Sequence, residues 1–358
     1  MKQVFFILLL LSLFTGMRAQ SLIDEDLQRI ASGALAEGIC HCPEDAVRYA
    51  GVVVTEVSSG NVVANVSLLY KNGEFVNNPN GNKVPVPTGL GRSVLYLAMM
   101  PEANPYMVVD TQEGLYVDSA GYTIEDHNHR YGGYGVLDMK RAFDYNSNIG
   151  ILKCAEIVFG KDMHRYAEAI NKTGVSFGAK VPIDYTGTWN SHDILGYTRN
   201  MTLLQQVCWL NAVAGGKYVI RMDNNDPDEP YDEILNHQGL DSLRSVMRET
   251  VTGGMGLKMN SEEVPVAGIT NTSPKDSEGF KGLFAAGFFP YDYEKLPEYT
   301  IGVYIQKHWK NGFANPSYVA RKIINWMVYN KLSESPYFSY SECESTQEKN
   351  GRLHPAER

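Results

Sequence analysis

Ser93 and Tyr96 are a pair of hydroxyl side chains whose spacing suggests nucleophilic chemistry. A helix predicted over residues 91–100 would place them one turn apart, the relation that some hydrolases use between a serine nucleophile and its proton acceptor. The same positions fit ordinary helix packing, because Leu95 and Leu97 lie beside them. We therefore favour packing and keep Ser93 as an alternative nucleophile.

Two short segments contain the residue types that bind metals. They are Cys40-His41-Cys42 and the polar stretch with Asp126, His127, His129 and Arg130. A zinc site needs four ligands, and no second Cys/His cluster follows the first segment at finger-like spacing. The polar stretch could bind a metal or an anion, but we interpret it as a solvated surface loop. We predict no metal site and no cofactor.

The elements that would position such residues are visible as hydrophobic periodicity. Apolar residues at helical spacing predict helices over 24–36, 91–100, 147–159, 162–171, 202–214, 240–251 and 316–330. Runs rich in β-branched and aromatic residues predict a hairpin over 51–66 and strands over 264–272, 281–289 and 299–306. The stretch 70–87 is rich in Asn, Gly and Pro and is predicted to be a loop.

This order of elements predicts an α/β fold of the α+β type. It would have a five-stranded, mainly antiparallel sheet flanked by helices, with an all-α subdomain over about 90–255 inserted between the N- and C-terminal strands. We expect one domain over 21–335 and a polar tail over 336–358. A ligand would bind in the cleft where the helical region meets the sheet edge.

The first twenty residues have the composition of an export signal. Lys2 precedes an apolar run over 4–14, and small residues follow before Gln20. The run is shorter than the ~20 residues that span a bilayer, so cleavage is favoured over an uncleaved anchor and leaves no membrane span. The formal charge of −9 leaves no broad basic surface for nucleic acid. We predict a periplasmic or cell-envelope location.

A series of short segments supports a family resemblance. They are 22–28, 51–64, 132–139, 146–150, 203–217, 245–254, 266–272 with the sequence Val-Ala-Gly-Ile-Thr-Asn-Thr, and 284–290 with the sequence Phe-Ala-Ala-Gly-Phe-Phe-Pro. In this order they resemble the transpeptidase domains of penicillin-binding proteins, within the serine β-lactamase-like superfamily. The resemblance covers about 21–330 and implies the same α+β fold as the order of elements.

The resemblance implies three catalytic motifs. In the family, Ser-x-x-Lys supplies the nucleophile and its base, Ser-x-Asn relays protons and holds the substrate amide, and Lys-Thr/Ser-Gly binds the substrate carboxylate. The matching positions in this chain are Gly89 and Arg92 for the first motif, Asn146-Ser147-Asn148 for the second, and Ile269-Thr270-Asn271 for the third. Each motif has lost a residue that it needs.

The replacements remove specific chemistry. Glycine at 89 has no nucleophile, and the Arg92 guanidinium, with a pKa above ~12, cannot act as a base near neutral pH. Asn146 cannot relay a proton as a serine does, whereas Asn148 keeps the amide. Ile269 removes the cation that would bind a carboxylate. The resemblance therefore implies that acylation is lost.

Two literal copies of family motifs lie elsewhere in the chain. Lys172-Thr173-Gly174 follows a helical stripe, and Ser59-Gly60-Asn61 falls between the two strands of the predicted hairpin. The third motif needs a strand that lines the cleft, so the first copy is interpreted as a helix end. The second copy is interpreted as a hairpin turn.

These observations predict a catalytically inactive pseudoenzyme that binds a peptidoglycan fragment or a cell-envelope protein. Its cleft would be lined by Gly89, Arg92, Asn146, Ser147, Asn148, Thr270, Asn271 and Thr272. Backbone N–H groups at Gly89 and Thr272 would remain available to hold a carbonyl or carboxylate. Two alternatives stay open: an active D,D-transpeptidase or carboxypeptidase-type enzyme that uses Ser93, and a structural or interaction protein whose cleft is filled by side chains.

Overall fold

The computed structural model describes residues 22–43, 46–71, 74–78, 80–119, 121–175, 187–215, 234 and 237–332. The predicted export signal over 1–20 and the predicted tail over 336–358 lie outside the described residues. Within the described ranges, no helix has both the length and the apolar character needed to cross a bilayer.

Strands come from both ends of the chain and from its middle. In chain order they are β1 (Val47–Glu56), β2 (Val62–Lys71), β3 (Glu74–Asn77), β4 (Val86–Pro87), β5 (Val108–Asp110), β6 (Leu115–Val117), β7 (Thr123–Glu125), β8 (Val136–Asp138), β9 (Asn200–Met201), β10 (Ala267–Thr272), β11 (Phe280–Phe289) and β12 (Tyr299–His308).

Seven of the helices in the described residues lie where the periodicity predicts them, with ends shifted by a few residues, and two short ones, over 139–144 and 191–194, were not predicted because each spans fewer than two turns. In chain order the helices are α1 (Glu25–Ile39), α2 (Gly91–Met99), α3 (Met139–Asp144), α4 (Asn148–Phe159), α5 (Met163–Asn171), α6 (Ser191–Ile194), α7 (Leu203–Val213), α8 (Leu240–Gly253) and α9 (Pro316–Met327).

The main sheet is antiparallel and has the strand order β10-β11-β12-β1-β2-β3. Strands from the two chain ends meet where β1 pairs with β12, so the predicted fold class is confirmed. The sheet has six strands instead of five. The sixth, β3, lies in the stretch 70–87 that was predicted to be a loop. A strand of four residues is too short to show a period of two against its Asn- and Gly-rich flanks.

Helices α1 and α9 cover one face of this sheet. Asp24 caps α1 by accepting a hydrogen bond from the Leu27 amide at 2.9 Å. Leu35 on the buried side of α1 belongs to the same core as Ile323 of α9 and Val303 of β12. An ion pair joins the exposed edges of the two helices.

The other face of the sheet carries the helical region. Its core includes Phe284 and Tyr304 from the sheet and Leu95 and Trp209 from α2 and α7. The region is not all-α as predicted, because the pairs β5–β8, β6–β7 and β4–β9 form short ribbons within or beside it. Strands of two or three residues leave no readable periodicity in a sequence.

Candidate functional site

Gly89 lies between the short strand β4 and the start of helix α2. The pairing of β4 with β9 fixes one side of this segment, and the Thr88 amide donates to the Arg199 carbonyl at 3.1 Å. The Gly89 amide donates to Oε1 of Gln206 on α7 at 2.7 Å. The Gly89 carbonyl accepts from Nδ2 of Asn271 at 3.2 Å. The N–H and the carbonyl of Gly89 are therefore both hydrogen-bonded to side chains of the protein.

The space above Gly89 is filled by an aromatic side chain. A Cβ atom built on Gly89 would lie 2.7 Å from Cβ of Phe284 and would overlap Cγ and Cδ1 of the same residue. Phe284 is 2% exposed and pairs with Asn271 across β10 and β11. Any side chain at 89 requires Phe284 to move, because such overlap is not relieved by rotation of a core ring. Glycine at 89 is thus a packing requirement.

Arg92, on the first turn of α2, connects the three motif positions. Its guanidinium donates to Oδ1 of Asn148 at 2.6 Å, to the Thr270 carbonyl at 3.1 Å and to Oδ1 of Asn271 at 2.9 Å. The side chain is 8% exposed. Arg92 therefore binds α2 to the start of α4 and to the edge strand β10.

The charge of Arg92 has no direct counter-ion in the described part of the chain, where no carboxylate oxygen lies within 4 Å of its guanidinium. Burial lowers the pKa of Arg92, and the negative charge of nearby Asp126 opposes this shift. Arginine keeps its proton in proteins, so the guanidinium acts as a donor and cannot accept one. The neutral acceptors Asn148, Thr270 and Asn271 satisfy it.

The second motif position forms a strained turn before α4. Asn146 has a positive φ of 54°, a left-handed conformation that asparagine tolerates better than most residues. Its Nδ2 donates to Oγ1 of Thr270 at 2.9 Å. This contact joins the turn to β10.

Ser147 turns away from the other motif residues. Its Oγ donates to Oδ2 of Asp126 at 2.6 Å and accepts from the Gly150 amide at 2.9 Å as the N-cap of α4. Asp126 is fully buried and also accepts from the Ile149 amide. Burial raises the pKa of Asp126, and the bond from Ser147 counteracts this shift. The solvated-loop interpretation is therefore wrong for Asp126, which anchors the α4 N-terminus, whereas His127 and Arg130 are exposed.

In the third motif, the backbone N–H of Thr272 is also bonded within the protein. The Thr272 amide donates to Oδ1 of Asn271 at 2.8 Å, and Ile269 is buried in the core. Since the Gly89 amide is bound by Gln206, both N–H groups expected to hold a ligand carbonyl are already occupied. The expectation that they remain available is wrong for this conformation, because asparagine and glutamine side chains take the place of the ligand.

The structure brings seven of the predicted site residues into one hydrogen-bonded cluster: Gly89, Arg92, Asn146, Asn148, Thr270, Asn271 and Thr272. Ser147 lies next to this cluster in sequence but bonds to Asp126. The literal copies behave as interpreted. Lys172 is the C-cap of α5, and the Ser59 Oγ bonds to Glu56 inside the β1–β2 turn.

The Ser93 and Tyr96 pair does not form a catalytic contact. Ser93 is 2% exposed, and the Tyr96 hydroxyl is paired with Oγ of Ser242 at 3.0 Å. Burial raises the pKa of Tyr96 to about 12. A neutral phenol with that pKa is a poor proton acceptor near pH 7.

Two residues of the cluster's surroundings had no sequence signal. Gln206 follows Gln205, which completes a capping box with Thr202 and so has a recognisable local role. Gln206 has no such local role that a sequence could reveal, because its partner Gly89 lies 117 positions earlier in the chain. Phe284 looks in the sequence like one aromatic residue in a strand, and its place over Gly89 depends on the pairing of β10 with β11.

Asp144 lies at the end of α3, just before the Asn146 turn, and its side chain is 1% exposed. Its Oδ1 accepts from Oγ1 of Thr250 at 3.1 Å. Burial and then the charge of Glu249 raise the pKa of Asp144 to about 7, while the charges of Arg141 and Lys140 lower it. The carboxyl group is therefore held partly protonated at neutral pH.

Replacing this carboxyl group is expected to stabilise the protein at alkaline pH. In the folded protein the pKa of Asp144 lies above the ordinary value of 3.8. The stability linked to its protonation is therefore fully present below about pH 4 and is lost as the pH rises through about 7. Asp144→Asn should raise the free energy of unfolding at pH 8 by about 2–4 kcal/mol and leave it nearly unchanged at pH 4. Urea unfolding at both pH values measures this. The exposed control Glu113→Gln should show no such difference, and equal curves for Asp144→Asn and wild type at pH 8 would contradict the expectation.

Comparisons with known proteins agree with the fold. A model of the penicillin binding protein transpeptidase domain matches residues 94–325. The chain is similar in structure to the apo TP domain of penicillin-binding protein 3 from Burkholderia pseudomallei, with a TM-score of 0.67, 18% identity, and coverage of 90% of this chain and 99% of that chain. It is also similar to a peptidoglycan glycosyltransferase from Burkholderia ambifaria, with a TM-score of 0.66, 18% identity, and coverage of 89% and 99%. No curated protein matches the sequence. At this level of identity, the structural similarity shows the fold alone.

Proposed function

Because the chain belongs to the penicillin-binding protein transpeptidase domain family, we propose that it is a non-catalytic member that acts as a binding protein of the cell envelope. In this proposal an export signal over 1–20 is cleaved, and residues 21–335 form the transpeptidase-like domain. The domain binds a partner and does not form an acyl-enzyme. Fold and chemistry are separable in this way because catalysis resides in a few side chains.

The observation that carries the proposal is the buried Arg92 cluster. A transpeptidase must take a proton from its nucleophile, whereas Arg92 donates to Asn148, Thr270 and Asn271. A cation fixed by three acceptors at the position of the family's base leaves no group there to accept a proton. This supports the loss of the first step of acylation.

Three further contacts support the same conclusion. Phe284 fills the space of the nucleophile's side chain. Gln206 and Asn271 occupy the two amides that would stabilise an oxyanion. Asn146 binds Thr270 and has no acidic proton to relay. Since each contact blocks a different requirement of acyl transfer, restoring one of them does not restore the reaction.

The same contacts bear on what the protein binds. A stem-peptide terminus needs a cation for its carboxylate, and Ile269 stands where the family has lysine. With the amide donors also occupied, the cleft offers such a peptide few contacts. We therefore favour a protein partner over a peptidoglycan fragment, and a surface outside the cleft as the place where it binds.

Acylation by a β-lactam tests the proposal. Wild-type protein incubated with excess penicillin should show no mass increase by intact-mass spectrometry, because no nucleophile and base are paired in the cleft. A family member with intact motifs, treated in parallel, should gain the mass of the antibiotic. Circular dichroism on the same sample would show that the unlabelled protein is folded.

Stoichiometric labelling would overturn the proposal. Peptide mapping would then identify the nucleophile, and Ser93→Ala would separate a reaction at Ser93 from a reaction elsewhere. Ser93 is the first residue to inspect because it lies on α2 one position after Arg92.

A further inference from the structure

A groove of about 450 Å³ lies between helices α1 and α9. Charged and aromatic side chains share its lining: Glu37, His41, Phe313, Tyr318, Arg321 and Lys322. The two helices pack on the face of the sheet opposite to the face that carries Phe284 and the helical region. The sheet thus separates the groove from the altered cleft, and a ligand can bind in the groove whether or not acylation is lost.

Close approaches of glycine shape this groove. A Cβ atom on Gly38 would overlap Cγ2 of Val319, so α1 and α9 meet more closely at this point than two side chains would allow. At one end, Gly312 has a positive φ of 66° and packs against Cys42. The first contact lies between the two helices and the second between the loops that adjoin their ends, so close backbone packing fixes this part of the surface.

The cations around the groove are not fully paired. Lys322 forms an ion pair with Glu37. Arg321 and Lys258 have no carboxylate within 4 Å among the residues that the structure describes, and both lie over aromatic rings instead. The Arg321 guanidinium carbon is 5.0 Å from the Tyr318 ring centre, and the Lys258 Nζ is 5.4 Å from the same centre. Two positive charges are left available in a chain whose net charge is −9.

The rings under these cations are exposed. Phe313 is 56% exposed and Tyr318 is 41% exposed, and Lys258 lies 5.7 Å from the Phe313 ring centre. Exposed aromatic side chains next to arginine are the combination enriched at the energetic centres of protein interfaces. The groove therefore offers apolar area and positive charge at the same place.

We propose that this groove is the docking site for an acidic peptide segment, supplied by a partner protein, that carries an aromatic side chain. Carboxylates of the segment would pair with Arg321 and Lys258, and its ring would pack on Tyr318 and Phe313. Because Phe313 and Tyr318 are exposed, a segment can reach the groove from solvent. Charge complementarity selects an acidic occupant over a neutral one.

Fluorescence polarisation with the labelled peptide Glu-Glu-Tyr-Glu-Phe-Glu-Glu tests the proposal on the full chain. Saturable binding is expected. Arg321→Glu should weaken it about tenfold or more, because it removes an attractive charge and adds a repulsive one. Tyr318→Ala should weaken it about fivefold through loss of ring contact, an effect that charge attraction alone would not produce.

Lys153→Glu is the matched control. Lys153, on α4 in the helical region, also lies over a tyrosine ring, 5.5 Å from the Tyr116 ring centre, and its reversal makes the same change in net charge. Binding by this variant should equal that of wild type, and a peptide with lysine in place of each glutamate should not bind. The variants' thermal unfolding should match wild type.

Three results would overturn the proposal. One is the absence of saturable binding by the full chain. Another is an equal loss of binding in Lys153→Glu and Arg321→Glu, which would mean non-specific charge attraction. The third is a dimer in light scattering that Arg321→Glu dissociates, which would assign the groove to a second copy of this chain.

Discussion

The double variant Gly89→Ser with Arg92→Lys is expected to remain unacylated by penicillin, although it restores the first catalytic motif. Loss of a serine nucleophile or its base costs about a million-fold in rate, and we expect most of that deficit to persist. The reason is geometric. The introduced serine would overlap Phe284, and the introduced lysine would lie among the acceptors Asn148, Thr270 and Asn271.

The remaining requirements of acylation are also unmet in this variant. The Gly89 and Thr272 amides stay bound to Gln206 and Asn271, so an oxyanion has no free donors. Asn146 cannot relay a proton to the leaving group. The measurement is intact mass after prolonged incubation with penicillin, beside a family member with intact motifs.

Phe284→Ala, added to this double variant, separates the steric barrier from the chemical ones. It removes the overlap at 89, which costs about 1–3 kcal/mol as overpacking, but deleting this buried ring leaves a cavity that costs about 3–5 kcal/mol, so the triple variant is expected to be no more stable than the double variant. The triple variant should still not be acylated. Rapid labelling of the double variant would instead mean that Gly89 and Arg92 alone account for the missing chemistry.

Arg92→Ala is expected to lower the free energy of unfolding by about 3–5 kcal/mol, a large effect for one substitution. The change leaves Oδ1 of Asn148, the Thr270 carbonyl and Oδ1 of Asn271 without their charged donor, and each hydrogen bond to a charged group is worth about 1.5–3 kcal/mol. Part of this cost is offset because Asn271 still pairs with the Thr272 amide. Urea unfolding at pH 7 measures the difference.

Two further variants show whether the hydrogen-bond geometry causes the effect. Arg92→Lys keeps the charge but cannot reach three acceptors with a planar fork, so an intermediate loss is expected. Arg130→Ala removes an exposed arginine from the same region and should change stability by about 0.5 kcal/mol or less. If Arg92→Ala and Arg130→Ala lose the same amount, Arg92 does not connect the cleft walls in solution.

The absence of acylation in the double variant and the stability loss of Arg92→Ala would come from the same hydrogen-bonded cluster. Arg92 is a poor base in any environment, yet as a donor it can bind three neutral oxygens that lysine would reach less well. The cluster lies on the face of the sheet that carries the helical region, opposite to the pair α1 and α9. In the proposed function, the positions that would remove catalysis are therefore the same positions that add stabilising contacts.

Local patterns in the sequence were enough to predict the framework. The apolar stripe after Asp24 predicted α1, and the two β-branched runs around Ser59 predicted the hairpin of β1 and β2, because helix and strand periodicity is set by near neighbours. The side-chain chemistry of Gly89 and Arg92 was also readable in advance. A residue without a hydroxyl cannot attack a carbonyl, and a guanidinium cannot accept a proton, whatever surrounds them.

What fills the cleft depended on contacts between distant parts of the chain. Arg92 donates hydrogen bonds to Asn148, which lies 56 positions away in the sequence, and to Asn271, which lies 179 positions away. Gln206 reaches back to Gly89, and Phe284 covers it only because β11 pairs with β10 in one register. The four-residue strand β3 and the buried carboxylate of Asp126 had no readable pattern of their own. Strand register and side-chain burial are properties of the packed chain, so the same residues spaced the same way could have left the cleft open.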